Sequence, residues 1–155
     1  MKLEASDVLA MDDGQKVAVL ETLVAGVLAD GKVTPDEVRR FDEIVMALPW
    51  GMDEPVLSAL VKGTQQRVIA LKSPADIQDF VASLASRVTS PELRDKLVFT
   101  MATVMAADNE VNQLERNVLG LFVLAFGITS ERSAAIKAAV QSHRIAVADA
   151  NDPPN

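Results

Sequence analysis

The sequence contains no cysteine and no tyrosine, and it has few aromatic residues of any kind. Its 155 residues include one Trp, five Phe and one His. Without cysteine there can be no disulfide, no thiolate metal site and no cysteine nucleophile, which is compatible with a reducing compartment. Aromatic residues make up 4% of the chain and hydrophobic residues 49%. This composition is typical of helices packed closely on Ala, Val and Leu rather than of aromatic strands.

A long hydrophobic run and an excess of positive charge are also missing. The strongest apolar run, Val118 to Ile128, is shorter than the roughly 20 residues that a bilayer span requires. Acidic residues occupy the positions near the start where a signal peptide would be apolar. We therefore expect a soluble, cytoplasmic protein without a membrane span. The net charge of −7 argues against a nucleic-acid partner and favours cations or basic proteins.

Enzyme motifs are absent as well. The sequence contains no HExxH, no GxxxxGK[ST], no GxGxxG and no GxSxG pattern. His143 has no carboxylate at helical spacing, which predicts a surface or partly buried histidine rather than a catalytic base. We expect a protein that is not an enzyme, with a metal-dependent hydrolase as the remaining enzymatic alternative.

One acidic stretch occurs twice in the chain. Residues 29–37 read ADGKVTPDE and residues 107–115 read ADNEVNQLE, 78 residues further on. Each copy ends one apolar-periodic segment and begins the next, so both predict a helix-turn-helix corner. The matched positions are Asp30 and Asp108, Val33 and Val111, and Glu37 and Glu115.

Apolar periodicity and helix start signals predict an all-α fold. We expect a compact bundle of about seven helices, whose two halves are pseudo-symmetric helix-turn-helix pairs. We expect the first two helices to match the fifth and sixth, with the third and fourth as a bridge. The sixth, apolar on nearly all sides from Val118 to Phe126, should be the most buried.

Residues 1–14 are predicted as an N-terminal extension, 15–148 as a single domain and 149–155 as a disordered tail. The predicted helices cover residues 15–29, 34–48, 53–69, 73–88, 90–105, 112–126 and 129–147.

The acidic residues of the two corners have two interpretations. Glu37 and Glu115 fit capping boxes, a device that contributes about 1 kcal/mol. Asp30 and Asp108 are harder to explain, because a carboxylate at a helix C-terminus is unfavourable by a few tenths of a kcal/mol. Turn amides can offset that cost. The alternative is a hard-cation site that is assembled in space from Asp30, Glu37, Asp108 and Glu115.

The available ligands narrow the identity of such a cation. Carboxylates without thiolates, in a chain with one imidazole, favour Ca²⁺, Mg²⁺ or Mn²⁺ over Zn²⁺ or Cu²⁺. An EF-hand loop is excluded, because its twelfth position would be Phe41 or Leu119 instead of glutamate.

The corner residues carry a resemblance to a known family. The segment from Leu28 to Glu37, LADGKVTPDE, and the second copy from Ala106 to Glu115 resemble the acidic corners of the TerB-like tellurite-resistance family. The first segment is also similar to the N-terminal region of a DnaJ-like membrane co-chaperone. The resemblance implies an all-helical cytoplasmic domain that is linked to stress responses, binds metal ions and assembles with other proteins. The second copy departs from the first at two positions, where Asn109 and Glu110 replace Gly31 and Lys32.

Two hypotheses about function follow. In the first, a non-enzymatic TerB-like module binds a divalent cation at Asp30, Glu37, Asp108 and Glu115 and joins a stress-response assembly, with a homo-oligomer also possible. In the second, the corners are scaffold only, and a helical interaction module binds its partner near Trp50 or on the seventh helix. Trp50 would otherwise close one end of the core.

Overall fold

Helices account for all the regular secondary structure in the parts of the chain that are described. The computed structural model describes residues 1–28, 33–106 and 111–151, with side chains for residues 1–27, 33–106 and 111–144. The all-α fold is confirmed. Within these ranges, no helix combines the length and the apolar character needed to cross a bilayer. The helices are α1 (Ala5–Leu9), α2 (Asp13–Leu28), α3 (Pro35–Phe41, continued by a π-helical turn over Asp42–Met46), α4 (Glu54–Ile69), α5 (Pro74–Arg87), α6 (Pro91–Met105), α7 (Gln113–Ala125) and α8 (Ser130–Asn151).

Most helices begin where the sequence signals predict. At six N-termini, a side-chain oxygen of the capping residue accepts a hydrogen bond from the amide three residues later, which satisfies one exposed donor. Proline occupies the first helical position of α3, α5 and α6, where its missing amide costs nothing. The six capping residues are Asp12, Thr34, Ser73, Ser90, Asn112 and Thr129. The short helix α1 was not predicted.

The two halves of the chain correspond over more helices than the sequence indicates. Asp13 begins α2 and Pro91 begins α6, 78 residues later, and Pro35 and Gln113 begin α3 and α7 at the same interval. Helix α4 packs on α2, as α8 packs on α6. The third predicted helix, which is α4 in the structure, is therefore not a bridge but the counterpart of α8. The two helices correspond in their packing position, and sequence identity does not reveal this.

The most buried helices are α2 and α6, so the prediction for the sixth helix, now α7, is wrong. Every residue of α6 from Leu97 to Met105 is buried, whereas Leu114 and Leu124 of α7 are 57% and 79% exposed. Helix α6 can be buried despite its threonines, because each hydroxyl donates to a carbonyl four residues earlier in the same helix. Thr100 donates to Lys96 at 2.7 Å and Thr103 to Phe99 at 2.8 Å.

The central helices α2 and α6 approach each other closely at Gly26. A Cβ atom at this position would lie 2.0 Å from Sδ of Met101, a distance that real atoms do not adopt. A larger residue at position 26 would therefore force the buried side chain of Met101 to move. The contact lies near the C-terminal ends of both helices, which lead into the two acidic corners.

The N-terminal segment and Trp50 both contribute to the core. Leu3 and Val8 are buried, so residues on both sides of α1 are packed against the bundle. Trp50 is 2% exposed, and its indole N–H donates to the carbonyl of Val45 at 2.8 Å. The hypothesis of an exposed tryptophan that anchors a partner is wrong, because both the ring and its polar atom are satisfied inside the protein.

Candidate functional site

Glu37 lies in the first turn of α3 and is almost completely buried. Thr34 caps the helix, and its hydroxyl oxygen accepts a hydrogen bond from the amide of Glu37 at 3.1 Å. The same hydroxyl donates to Oε1 of Glu37 at 3.2 Å. The side chain is only 2% exposed, and α3 packs against α6. The first corner therefore holds a carboxylate inside the protein rather than on its surface.

Glu115 occupies the equivalent place at the start of α7. Asn112 Oδ1 accepts a hydrogen bond from the amide of Glu115 at 2.8 Å, and the amide of Asn112 donates to Oε1 of Glu115 at 3.2 Å. These two bonds form the predicted capping box. Glu115 is 3% exposed. The two corners thus bury matching carboxylates.

The burial of these two glutamates goes beyond what helix capping requires. A capping box uses one carboxylate oxygen and works at an exposed helix start. Here the second oxygen, Oε2, is also shielded from solvent in both Glu37 and Glu115. A buried carboxylate loses its hydration and must be compensated by hydrogen bonds or by positive charge. Sequence patterns identified both residues but gave no sign of their depth.

The other two predicted ligands, Asp30 and Asp108, lie outside the described residues. Among the residues that are described, no three His, Asp or Glu side chains come together in a way that could hold a metal ion. The described part of the predicted site therefore consists of Glu37 and Glu115, one in each corner.

A third buried carboxylate was missed by sequence reasoning. Glu21 of α2 has a side chain that is 7% exposed, and it forms ion pairs with Arg67 at 3.2 Å and Arg87 at 2.6 Å. The two arginines lie on α4 and α5, 46 and 66 residues away along the chain. No local spacing signals such a triad, which ties three helices together.

A groove runs between α6, α7 and α8. It has a volume of about 840 Å³, and its apolar floor includes Ala102, Leu119 and Ile136. Its charged lining residues, among those described, are all basic: Arg116, Lys137 and Arg144. The matching groove in the first half measures about 140 Å³. The second half is therefore open where the first half is nearly filled.

His143 of α8 is the partly buried histidine that the sequence predicts. Its ring meets the ring of Phe99 edge to face, and its Nε2 atom is shielded from solvent without a hydrogen-bond partner among the described residues. Burial lowers the pKa of His143, and the positive charges of Arg40 and Lys2 lower it further. Both effects favour the neutral form of the imidazole.

Comparison with known families identifies one match. A family model described as "Tellurite resistance protein TerB" matches residues 10–138, which is most of the chain. Comparison with curated proteins and with solved structures gives no significant match. The matched region includes both acidic corners and every helix from α2 to α7. On this match the chain belongs to the TerB family of tellurite resistance proteins.

Proposed function

We propose that the protein is a non-enzymatic module that binds a divalent cation at its paired acidic corners and takes part in a stress-response assembly linked to tellurite resistance. The observation that carries the proposal is the matched burial of Glu37 and Glu115, at 2% and 3% exposure. A cation supplies the positive charge that buried carboxylates favour. The family description, tellurite resistance, supports the biological context.

The packing of α2 against α6 favours one site shared by both corners. The helices meet where Gly26 contacts Met101. Asp30 follows Gly26 by four residues and Asp108 follows Met101 by seven. Helix α2 ends at Leu28 and α6 at Met105, so at 1.5 Å per helical residue the two helices end within about 3 and 6 Å of this contact. Both corners therefore follow in sequence from one helix crossing, which supports a shared site.

The donor set favours a hard cation. Carboxylate oxygens are preferred by Ca²⁺, Mg²⁺ and Mn²⁺, and the chain has no thiolate to select a softer metal. Its single imidazole, His143, lines a different cleft. The residues proposed to hold the cation are Asp30, Glu37, Asp108 and Glu115.

Thermal unfolding tests the proposal. The protein is stripped with chelator and unfolded with and without added Ca²⁺, Mg²⁺ or Mn²⁺. At a free ion concentration 100 times the Kd, binding to the folded state alone stabilises it by about 2.7 kcal/mol. This predicts an increase of several degrees in Tm. The double variant Asp30→Asn and Asp108→Asn should lose that increase.

A matched double variant controls for the change in net charge. Asp53→Asn and Asp79→Asn remove the same two negative charges from exposed positions outside the corners, and should keep the full increase in Tm. If the corner variant responds to the ions as the wild type does, the proposed site is wrong. If both double variants lose the response equally, the effect is general charge screening and the site is also wrong.

A second candidate function is protein docking in the groove between α6, α7 and α8. We propose an acidic amphipathic helix of a partner protein as its occupant. The groove has an apolar floor, and the charged side chains around it are basic among the described residues, although the whole chain carries a charge of −7. An amphipathic helix with leucines on one face and glutamates on the other complements both features.

Peptide binding tests the docking proposal. A synthetic amphipathic helix with Leu and Glu faces is titrated into the protein, and the same helix with Lys in place of Glu serves as its counterpart. The acidic peptide should bind more tightly, and Arg116→Gln with Lys137→Gln should weaken it by about tenfold. Arg39→Gln with Lys72→Gln, which remove the same charge elsewhere, should not. Equal affinity for both peptides would contradict the proposal.

A further inference from the structure

A second cavity, separate from the acidic corners and from the groove, lies between the N-terminal segment, the π-helical turn, α6 and α8. Its volume is about 420 Å³, within the range of small-molecule sites, about 300–1,000 Å³. Parts of the chain as distant as Lys2 and His143 meet here, so no local sequence pattern indicates it. Its lining includes Lys2, Arg40, Ile44, Phe99 and His143.

Arg40 lies deeper in this cavity than the neighbouring Glu43. The charged or titratable groups in its lining are Lys2 and Glu4 from the N-terminal segment, Arg40 and Glu43 from α3 and its π-helical turn, and His143 from α8. The side chain of Arg40 is 27% exposed and that of Glu43 58% exposed. They are 3.9 Å apart, at the limit of an ion pair. Glu43 therefore marks the mouth, while Arg40 reaches inward.

The imidazole of His143 forms part of the cavity wall. Its Nε2 atom is shielded from solvent, so this atom does not face the open space of the cavity. Phe99 packs against the ring edge to face, with centroids 6.2 Å apart. The imidazole is thus held in place beside the cations.

The backbone at the cavity has a form that is often found at functional sites. Residues Asp42–Met46 form a π-helical turn directly after α3. Such turns are rare and occur frequently where proteins bind ligands. Here the turn contributes the apolar side chain of Ile44 and follows Arg40, so one short segment supplies both an apolar and a cationic part of the lining.

We propose that this cavity binds a small organic monocarboxylate. Arg40 and Lys2 hold the carboxylate beside the imidazole of His143. The apolar body of the ligand packs against Phe99 and Ile44. This site does not depend on the proposed cation site, since it shares no residue with the acidic corners.

The only histidine of the chain provides a direct probe. Its C2–H proton gives one NMR resonance, which can be followed without assignment of other residues. Benzoate and hexanoate are titrated as carboxylates with apolar bodies, and benzamide as an uncharged analogue of benzoate. Either carboxylate should shift the resonance in a saturable way and raise the pKa of His143, because a nearby anion stabilises the imidazolium. Benzamide should do neither.

Neighbouring arginines supply a matched pair of variants. Arg40→Gln should weaken carboxylate binding by about tenfold or more. Arg39→Gln, an exposed neighbour with the same change in charge, should bind as the wild type does. Lys2→Gln provides a second weakened variant if Arg40→Gln does not fold. The proposal is overturned if neither carboxylate gives a saturable shift up to about 10 mM, or if benzamide binds with the same affinity as benzoate. It is also overturned if Arg40→Gln and Arg39→Gln bind the carboxylates with equal affinity.

Discussion

Phe99 of α6 and His143 of α8 meet edge to face, with an interplanar angle of 81°. The contact joins a central buried helix to the last helix of the chain and fixes the imidazole in the wall of a cavity. Because burial and the charges of Arg40 and Lys2 disfavour the imidazolium, His143 has a lower pKa in the folded protein than in the unfolded chain.

This difference predicts a pH dependence of stability. The unfolded histidine titrates near its ordinary pKa of 6.5, and the folded one titrates at a lower pH. Between these values the unfolded chain binds more protons, so the free energy of unfolding decreases as pH falls from 6.5 through the folded pKa. Urea unfolding across this window should show the decrease. His143→Gln should remove that part of the slope, and an unchanged profile in the variant would contradict the assignment.

Asp7 of α1 predicts a second effect at lower pH. Burial alone would raise the pKa of its carboxyl. Hydrogen bonds from Lys96 and from the amide of Glu4, together with the charge of Lys96, outweigh burial and lower the pKa below its ordinary value of 3.8. Lys96 Nζ lies 2.8 Å from Asp7 Oδ1. The stabilisation is present above pH 3.8 and is lost as pH falls through the folded pKa. Asp7→Asn should reduce this acid sensitivity in urea unfolding, whereas Asp79→Asn on α5 should preserve it.

Gly26 and Gly120 should respond to alanine in opposite directions. At Gly26 the added Cβ would meet Met101 Sδ at 2.0 Å, whereas at Gly120 of α7 it would meet nothing within 4 Å. Gly26→Ala should therefore lower the free energy of unfolding by about 1–3 kcal/mol through overpacking. Gly120→Ala should raise it by about 0.5–1 kcal/mol through helix propensity. Denaturant unfolding measures both, and a stabilised Gly26→Ala protein would show that α2 and α6 are not in tight contact.

Glu21 should contribute more to stability than an exposed acidic residue. Glu21→Gln keeps the side-chain shape but removes the charge shared by Arg67 and Arg87. Because the arginines are about half exposed and can turn to water, we expect a loss of about 1–3 kcal/mol rather than more. Asp36→Asn, which breaks the exposed pair with Arg39, should change stability by less than about 0.5 kcal/mol. Similar losses in both variants would argue against a special role for the triad.

Local signals in the sequence predicted the helices well. Helix starts depend on a capping side chain and a few following residues, so Thr34, Ser90 and Asn112 could be recognised from their neighbours alone. The repeat at 78 residues was also readable, because the corners keep their acidic residues. Burial was harder to predict. Thr100 and Thr103 appear polar in sequence, yet their hydroxyls are satisfied within α6, so the helix can lie at the centre.

Features that depend on distant parts of the chain could not be predicted. Glu21 lies 46 residues from Arg67, and the cavity around His143 joins the two ends of the described chain. Trp50 had two interpretations, which only the position of its indole N–H could decide. For the candidate cation site, the acidic repeat predicts four residues, and the structure adds the burial of Glu37 and Glu115. Capping alone does not predict that burial.

Crystals of the protein soaked in Mn²⁺ test the proposed cation site most directly. An anomalous difference map should contain a peak at the corners, with carboxylate oxygens of Asp30, Glu37, Asp108 and Glu115 about 2.0–2.6 Å from it. The Asp30→Asn and Asp108→Asn variant should lose the peak. A map with no peak at the corners, at an ion concentration that saturates the thermal response, would contradict the proposal.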